Sequence, residues 1–431
     1  MDKNAYFADY LWYDSRPIEN SWLLVNNDII MGYSVQKPDE SYKLHIFDKS
    51  AIFPALINTH THLPMSFLRG YADDLPLHEW LNKHIWPAEK QWLSSEFISA
   101  FTLLSAAELI RGGTSCANDM YFFTESMAKT IDQVGLRCTL GCGILDAPGK
   151  KNHIDQIFKN AETLVEIYSD NSLINISFCP HAVYTASPET YKRVINFTRK
   201  HDLLLHTHLS ETEWEVKESI ARYGKRPVEL MDSLGAFDCK SIFAHCVHIN
   251  DEEIELMGRK KVNISYCLQS NLKLASGFAP MYKLMNAGAN VTIGTDGAAS
   301  NNDQDVLSEM NTVALFNKGL MNDPTAFNAE TTFNCATKNA AKALGLTGVG
   351  ELKKGFQADF IVVSYAASHM QPVYNPLSHL IYSAKKSDVT DLYVAGKPLM
   401  SKSKLTTINE KRAIQSAAEW SEKIKEWRLI C

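Results

Sequence analysis

Between residues 54 and 297 short apolar runs alternate with longer stretches in which apolar positions recur every three to four residues. The runs are "PALINTH" (54–60), "GTSCAND" (113–119), "LRCTLGCGIL" (136–145), "LINISFCPH" (173–181), "LLLHTHLS" (203–210), "SIFAHCVH" (241–248), "VNISYCLQS" (262–270) and "ANVTIGTDG" (289–297). Short, continuous and partly β-branched, they read as strands buried on both faces, the pattern of a parallel sheet. The longer stretches read as helices. "SSEFISAFTLLSAAELIRGG" (94–113) ends in paired glycines, and "SPETYKRVINFTRKHD" (187–202) opens with a serine cap followed by proline. Eight strand–helix alternations over about 250 residues predict an α/β fold, a (β/α)8 TIM barrel. A doubly wound sheet is the competing architecture, with six to seven strands more usual.

The flanks follow another rhythm. Residues 1–53 lack helical period but hold the strand-like pieces "SWLLVNND" and "KLHIFDK". "GELKKGFQADFIVVS" (350–364) and "VTDLYVAGKPLM" (389–400) read as strands punctuated by glycine turns, and 407–428 as a terminal helix. The expected organisation is a small β-sandwich domain built from both ends of the chain, 1–53 and 349–431, around a barrel at 54–348.

Composition narrows the function classes. The 431 residues are 45% hydrophobic and 21% charged with net charge −6, which is globular and offers no basic surface for nucleic acid. No stretch approaches the ~20 apolar residues of a membrane helix. The nine cysteines form no C-x-x-C pair, and six fall in or beside apolar runs, as buried free thiols in a reducing compartment do. The expectation is a cytoplasmic enzyme with a small-molecule substrate and neither nucleic-acid nor membrane partners.

The chemistry sits where the runs end. The first ends in His60 and His62, the fourth in His181, the fifth in His206 and His208 followed by Glu211, the sixth in His245 followed by His248, and the eighth in Asp296. In a barrel these ends converge on one mouth. Burying such groups unpaired costs several kcal/mol, so their presence there calls for a purpose. His60 and His62, two apart on a strand, share a side. Alone, an H-x-H pair reads more readily as two ordinary loop histidines than as a metal site. With His208 and Asp296 it makes a three-His, one-carboxylate set suited to Zn²⁺, with Fe²⁺ or Mn²⁺ as alternatives. His206, one layer deeper, reads as a histidine packed behind a ligand, and His248 as a loop residue. His78, His84 and His153 are expected to face solvent.

"PALINTHTHLP", "HLSET", "AHCVH", "SNLKLASG" and "GTDGAASNND" together resemble the amidohydrolase superfamily. The resemblance is to the branch of S-adenosylhomocysteine, methylthioadenosine and adenosine deaminases and the triazine hydrolases, and it covers nearly the whole chain. It implies that His60, His62, His208 and Asp296 hold one divalent metal. Glu211 is then the proton-shuttling acid/base, Asp296 a second proton carrier, and His245 a contact of the attacking water. Glu89, in "IWPAEK", matches a position that contacts ribose hydroxyls; its bland reading is a solvated glutamate after Pro87. His181 matches a substrate contact; its bland reading is a satisfied histidine at a strand end. Relatives of this branch assemble as dimers or tetramers, so a homo-oligomer is expected.

Two departures bear on substrate. Cys142 stands where adenosylhomocysteine-type deaminases carry arginine, and the following loop offers Lys150 and Lys151 but no arginine. Lysine lacks the planar fork that grips a carboxylate. After the seventh run, Tyr266, Cys267, Leu268 and Gln269 replace a His-x-Pro pattern. The resulting expectation is a metal-dependent hydrolytic deaminase of an aminopurine nucleoside. A free-base or pterin deaminase, or a triazine-type hydrolase with another leaving group, is the enzyme alternative. A catalytically dead binding barrel is the non-enzyme one.

Overall fold

The computed structural model of the chain describes residues 3–146 and 151–428. Eight parallel strands, numbered here along the barrel, form one sheet in sequential order. They are β1 (Leu56–Thr61), β2 (Thr114–Tyr121), β3 (Arg137–Ile144), β4 (Ile174–Pro180), β5 (Leu204–Leu209), β6 (Ser241–His245), β7 (Asn263–Tyr266) and β8 (Asn290–Ile293). The first strand meets the last through Thr59, whose hydroxyl lies 2.8 Å from that of Thr292, and through Asp296 N–H donating to His60 O at 3.0 Å. Gly294 permits this closure. A Cβ there would sit 2.7 Å from His60 N and 2.4 Å from Ser265 Oγ, too close for any side chain. The (β/α)8 expectation thus stands, and the doubly wound alternative falls.

The expected helices are present. Ser94 caps Ser95–Arg111 by accepting from Phe97 N–H, and Gly113 (φ 78°) turns the chain out of it. Ser187 caps Pro188–His201 in the same way, accepting from Thr190 N–H. The terminal helix Glu410–Arg428 lies on Ser95–Arg111, packing Ile424 and Trp420 against Phe97 and Phe101.

The last three strands are shorter than their apolar runs because the backbone leaves β geometry at the mouth. His245 (φ 74°), Cys246 (φ 49°) and Asp296 (φ 63°) all adopt left-handed conformations, as does Ser210 (φ 51°) just past β5. Such conformations cost non-glycine residues of order 1–3 kcal/mol each and cluster where function demands them. After Cys267, the run expected to continue as strand winds into the helix Leu268–Lys273.

The two ends of the chain build a second sheet of nine strands. Ser50–Pro54 pairs antiparallel with Phe360–Ser364, and only Ala55 separates it from β1. The two-residue strand period sorts these side chains between two cores. Ile52, Phe360 and Val362 join Tyr6, Leu23 and Tyr393 inside the curl of the sheet. Ala51, Phe53, Ile361 and Val363 face the barrel's own core. Val389–Val394 and Lys397–Ser401 form the hairpin that the glycine at 396 foretells, with Ala395 and Gly396 both at positive φ.

Candidate metal centre

At the mouth, the residues expected from the strand ends come together. The ring centroids of His60 lie 4.9 Å from those of His62 and His208 and 5.4 Å from that of His245. Asp296 Oδ1 is 3.3 Å from His60 Nε2 and 3.2 Å from His62 Nε2. One donor atom from each of His60, His208, His245 and Asp296 lies within 4.8 Å of the others, and all four residues are buried. The tightest set therefore exchanges the expected His62 for His245, which its left-handed backbone swings inward. His62 remains at the rim of the same cluster.

Every imidazole is oriented from behind. His62 Nδ1 donates to Met120 O (2.5 Å), His208 Nδ1 to His181 O (2.9 Å) and His245 Nδ1 to Asn271 Oδ1 (2.9 Å). With Nδ1 donating, each turns Nε2 toward the common point. For His62 burial is outweighed by the facing Asp296, which raises the imidazole to about 9, so a cation bound there would displace that proton. His60 Nδ1 lies 2.8 Å from His206 Nε2, and His206 Nδ1 lies 3.1 Å from the Asn118 amide nitrogen. His206 is thus a histidine behind a ligand, as expected. Such partners fix the ring and raise the basicity of metal-ligating histidines.

The carboxylate is prepared in the same way. Asp296 Oδ2 accepts from Ser270 Oγ (2.6 Å) and Ser300 Oγ (2.7 Å), and Oδ1 from Gly297 N–H (2.8 Å). Burial opposes its charge, but the facing His60 and His62 hold the carboxyl well below the usual range. Burial lowers His60 to about 4, so that imidazole is neutral at physiological pH. Its Nε2 is buried without a hydrogen bond. Burial also holds His208 well below the usual imidazole range. Neutral imidazoles of His60 and His208 and one ionised carboxylate thus converge on a single point, a donor set that fits a divalent cation. His60, His208, His245 and Asp296 form a metal-binding site.

A cavity opens from this cluster. His62, His208, His245 and Asp296 line its inner end, with Glu211 beside them. Glu211 Oε2 lies 3.8 Å from His245 Nε2, and burial raises its carboxyl above the usual value. The Glu211 loop is held by Glu215, a buried carboxylate that accepts from Ser210 N–H (2.9 Å) and Glu211 N–H (2.8 Å). His181 joins the wall, its Nδ1 2.9 Å from Thr185 Oγ1. Burial and the neighbouring imidazoles press it down to about 3. Glu89 is not a solvated surface residue. It is buried in the helix Trp86–Trp92 and lines the cavity. Its Oε1 accepts from Tyr121 OH at 2.6 Å, and burial pushes the carboxyl up to about 7 against that bond.

Other expectations resolve plainly. His248 is a loop residue bonded to Ser276 O, His78 and His153 are exposed, and His84 is only partly so. Cys142 is buried and faces away from the cavity, into a groove with Phe122 and Phe123. Lys150 and the Lys151 side chain lie outside the described residues. Among the described residues the cysteines are free, and no single helix is long and apolar enough to cross a membrane. Sequence reasoning missed Ser270, Ser300, Asn271, Asn118, Glu215 and Tyr121. Ser270, Asn271 and Ser300 lie inside motifs already singled out, and Glu215 is one turn past Glu211.

Residues 51–399 match the Amidohydrolase family, and the chain belongs to that family. Its relatives carry more particular names. A 5-methylthioadenosine/S-adenosylhomocysteine deaminase of Thermodesulfovibrio yellowstonii is 40% identical over 389 residues, 90% of this chain and 89% of that protein. A 5'-deoxyadenosine deaminase of Methanocaldococcus jannaschii is 41% identical over 93% of this chain and 96% of its own. Among solved structures, an adenosine deaminase from Xanthomonas campestris with bound zinc superposes with TM-score 0.93 at 37% identity, covering 99% of both chains. An atrazine chlorohydrolase from Arthrobacter aurescens shares the fold (TM-score 0.90, 20% identity, 98% and 100% covered).

Proposed function

We propose that this protein hydrolytically deaminates an adenine nucleoside, such as adenosine, 5'-methylthioadenosine or 5'-deoxyadenosine, releasing ammonia. The observation that carries this reading is one cavity joining the metal cluster and Glu211 to the buried Glu89. The inner end suits an amidine carbon and the Glu89 wall a sugar. The names of the relatives support it.

Within the converging cluster of His60, His62, His208, His245 and Asp296, we assign the ion to His60, His62, His208 and Asp296, because His62 Nε2 lies as near Asp296 Oδ1 (3.2 Å) as His60 Nε2 does (3.3 Å). His245 is left to the attacking water. Zn²⁺ comes first on donor chemistry, with Fe²⁺ or Mn²⁺ as alternatives. When bound, a divalent ion supplies Lewis acidity, making water acidic enough to attack at neutral pH. Water's oxygen adds to the purine C6, and the C6–N bond breaks. One water proton ends on the ring nitrogen N1 and the other on the departing amine. Glu211, kept protonated more readily by burial, delivers the proton to N1. Asp296 carries the second to the amine. His245, held by Asn271, faces the attacking oxygen. His181 contacts the purine, and Glu89 accepts from the ribose hydroxyls. Cytoplasmic location and assembly as a dimer or tetramer belong to the same proposal.

The test is ammonia release over a panel of adenosine, methylthioadenosine, adenosylhomocysteine, guanine, cytosine, pterins and aminotriazines, with metal measured on the same preparation. Turnover of adenine nucleosides is expected. Activity confined to free bases or triazines refutes the nucleoside reading, and full activity in metal-free protein refutes the mechanism.

A further inference from the structure

Glu89 reaches the cavity from a connection rather than from the barrel. The helix Trp86–Trp92 that carries it follows a wide π-type turn at Leu81–Ile85, a geometry associated with functional sites. Nothing in that connection fixes the carboxylate. The anchor comes from the barrel: Tyr121, the last residue of β2, donates its phenol to Glu89 Oε1 at 2.6 Å. Tyr121 is itself buried, its ring 5.3 Å from Phe122 and 6.4 Å from His62. Both residues line the cavity, and among the described residues Glu89 Oε2 has no hydrogen-bond partner. One carboxylate oxygen is thus tied to the rigid rim while the other is left to accept from a ligand.

We propose that Tyr121 is a positioning residue for sugar recognition: its phenol holds Glu89 so that the free carboxylate edge accepts the two hydroxyls of a cis-diol, selecting ribonucleosides over sugars that lack it. This rests on the nucleoside reading above. Two O–H donors on adjacent carbons match two acceptor directions on one carboxylate. A hydrogen bond to an ionised group is among the stronger ones, but its benefit requires the acceptor to be held in place beforehand.

The experiment compares adenosine with 2',3'-dideoxyadenosine as substrates of the metal-loaded enzyme. Tyr121→Phe is expected to raise KM for adenosine by about tenfold, to change kcat less, and to leave KM for the dideoxy substrate within twofold. Glu89→Gln, which leaves the Tyr121 ring in place, should show the same substrate dependence. The double variant should be no worse than Glu89→Gln, because the pair acts as one unit. Equal effects on both substrates, or additive effects in the double variant, would overturn the positioning role while leaving deamination intact. A wild-type enzyme that deaminates free bases but no nucleoside removes the nucleoside reading and this proposal with it.

Discussion

The two ends of the barrel bury the same kinds of groups and use them oppositely. At the floor, Arg137 at the start of β3 is fully engaged. It donates from Nε and Nη2 to Asp359, from Nη1 to Ser172 O and from Nη2 to Gln357 Oε1. Asp359 in turn accepts from Ala395 N–H. Each nitrogen and carboxylate oxygen of this ion pair meets another protein atom, and the pair bolts the barrel to the terminal sheet. At the mouth, polar side chains are held from behind and some of their atoms are left without a hydrogen bond. His60 Nε2, Asp119 Oδ2 and Asn271 Nδ2 are buried without a hydrogen-bond partner. Strained backbone accompanies them at His245 and Asp296. Buried polarity alone therefore does not mark a site; buried polarity left unsatisfied at one shared point does.

The contrast can be broken most severely at Glu211. Glu211→Gln should keep the metal and lose about 10²–10⁴-fold in kcat, read by metal content and ammonia release together. Near-native rates would remove it from proton transfer. At the floor the outcome should invert. Asp359→Ala strands the Arg137 charge and should cost about 3–5 kcal/mol of stability in denaturant unfolding, with kcat per folded molecule unchanged. A comparable loss of kcat would mean that the floor is no mere fastening.

A finer division lies within the mouth. His62→Ala should lower bound metal. His245→Ala should retain most of it and slow turnover by about 10–100-fold, as losing a group that acts beside a metal does. The opposite metal contents would make His245 the ligand, as the tightest donor set has it. The smallest effect concerns pH. The Glu89 carboxyl, raised to about 7 by burial and facing Tyr121 and His62, is ionised above that pH and protonated below it. KM for adenosine should therefore rise several-fold as pH falls from 8 to 6, since each pH unit below the carboxyl's value costs the ionised form about 1.4 kcal/mol. KM for 2',3'-dideoxyadenosine should not follow it; a shared profile would free Glu89 from that role.

Most of the barrel was legible because its strands are buried on both faces and read as continuous apolar runs. The same property blurred their ends. Cys246, Val247, Cys267 and Leu268 are as buried as the strands before them, so hydrophobicity carried on where the β backbone had stopped. The ligand types were legible because imidazoles and a carboxylate closing apolar runs are costly. What sequence could not show is who stands behind them. Ser270 and Ser300 reach Asp296 from different loops, and Tyr121 reaches Glu89 across 32 residues. Those pairings follow from closure of the barrel, not from local pattern. The near-equivalence of His62 and His245 has the same origin, since it turns on a single left-handed φ.

The continuity of Ser50–Pro54 with β1 has a consequence for the timing of assembly. The strand that leads into His60 and His62 pairs on one edge with Lys3–Tyr13 but finds the partner of its other edge, Phe360–Ser364, only about 310 residues later. At synthesis rates of roughly 5–20 residues per second, the leading segment waits roughly 15–60 s on the ribosome with a bare apolar edge. Its pairing is among the longest-range contacts in the chain, a separation that slows folding. The histidines at 60 and 62 are thus made well before the strand that clamps the segment leading into them, and a chaperone or an early-arriving ion would meet them in that interval.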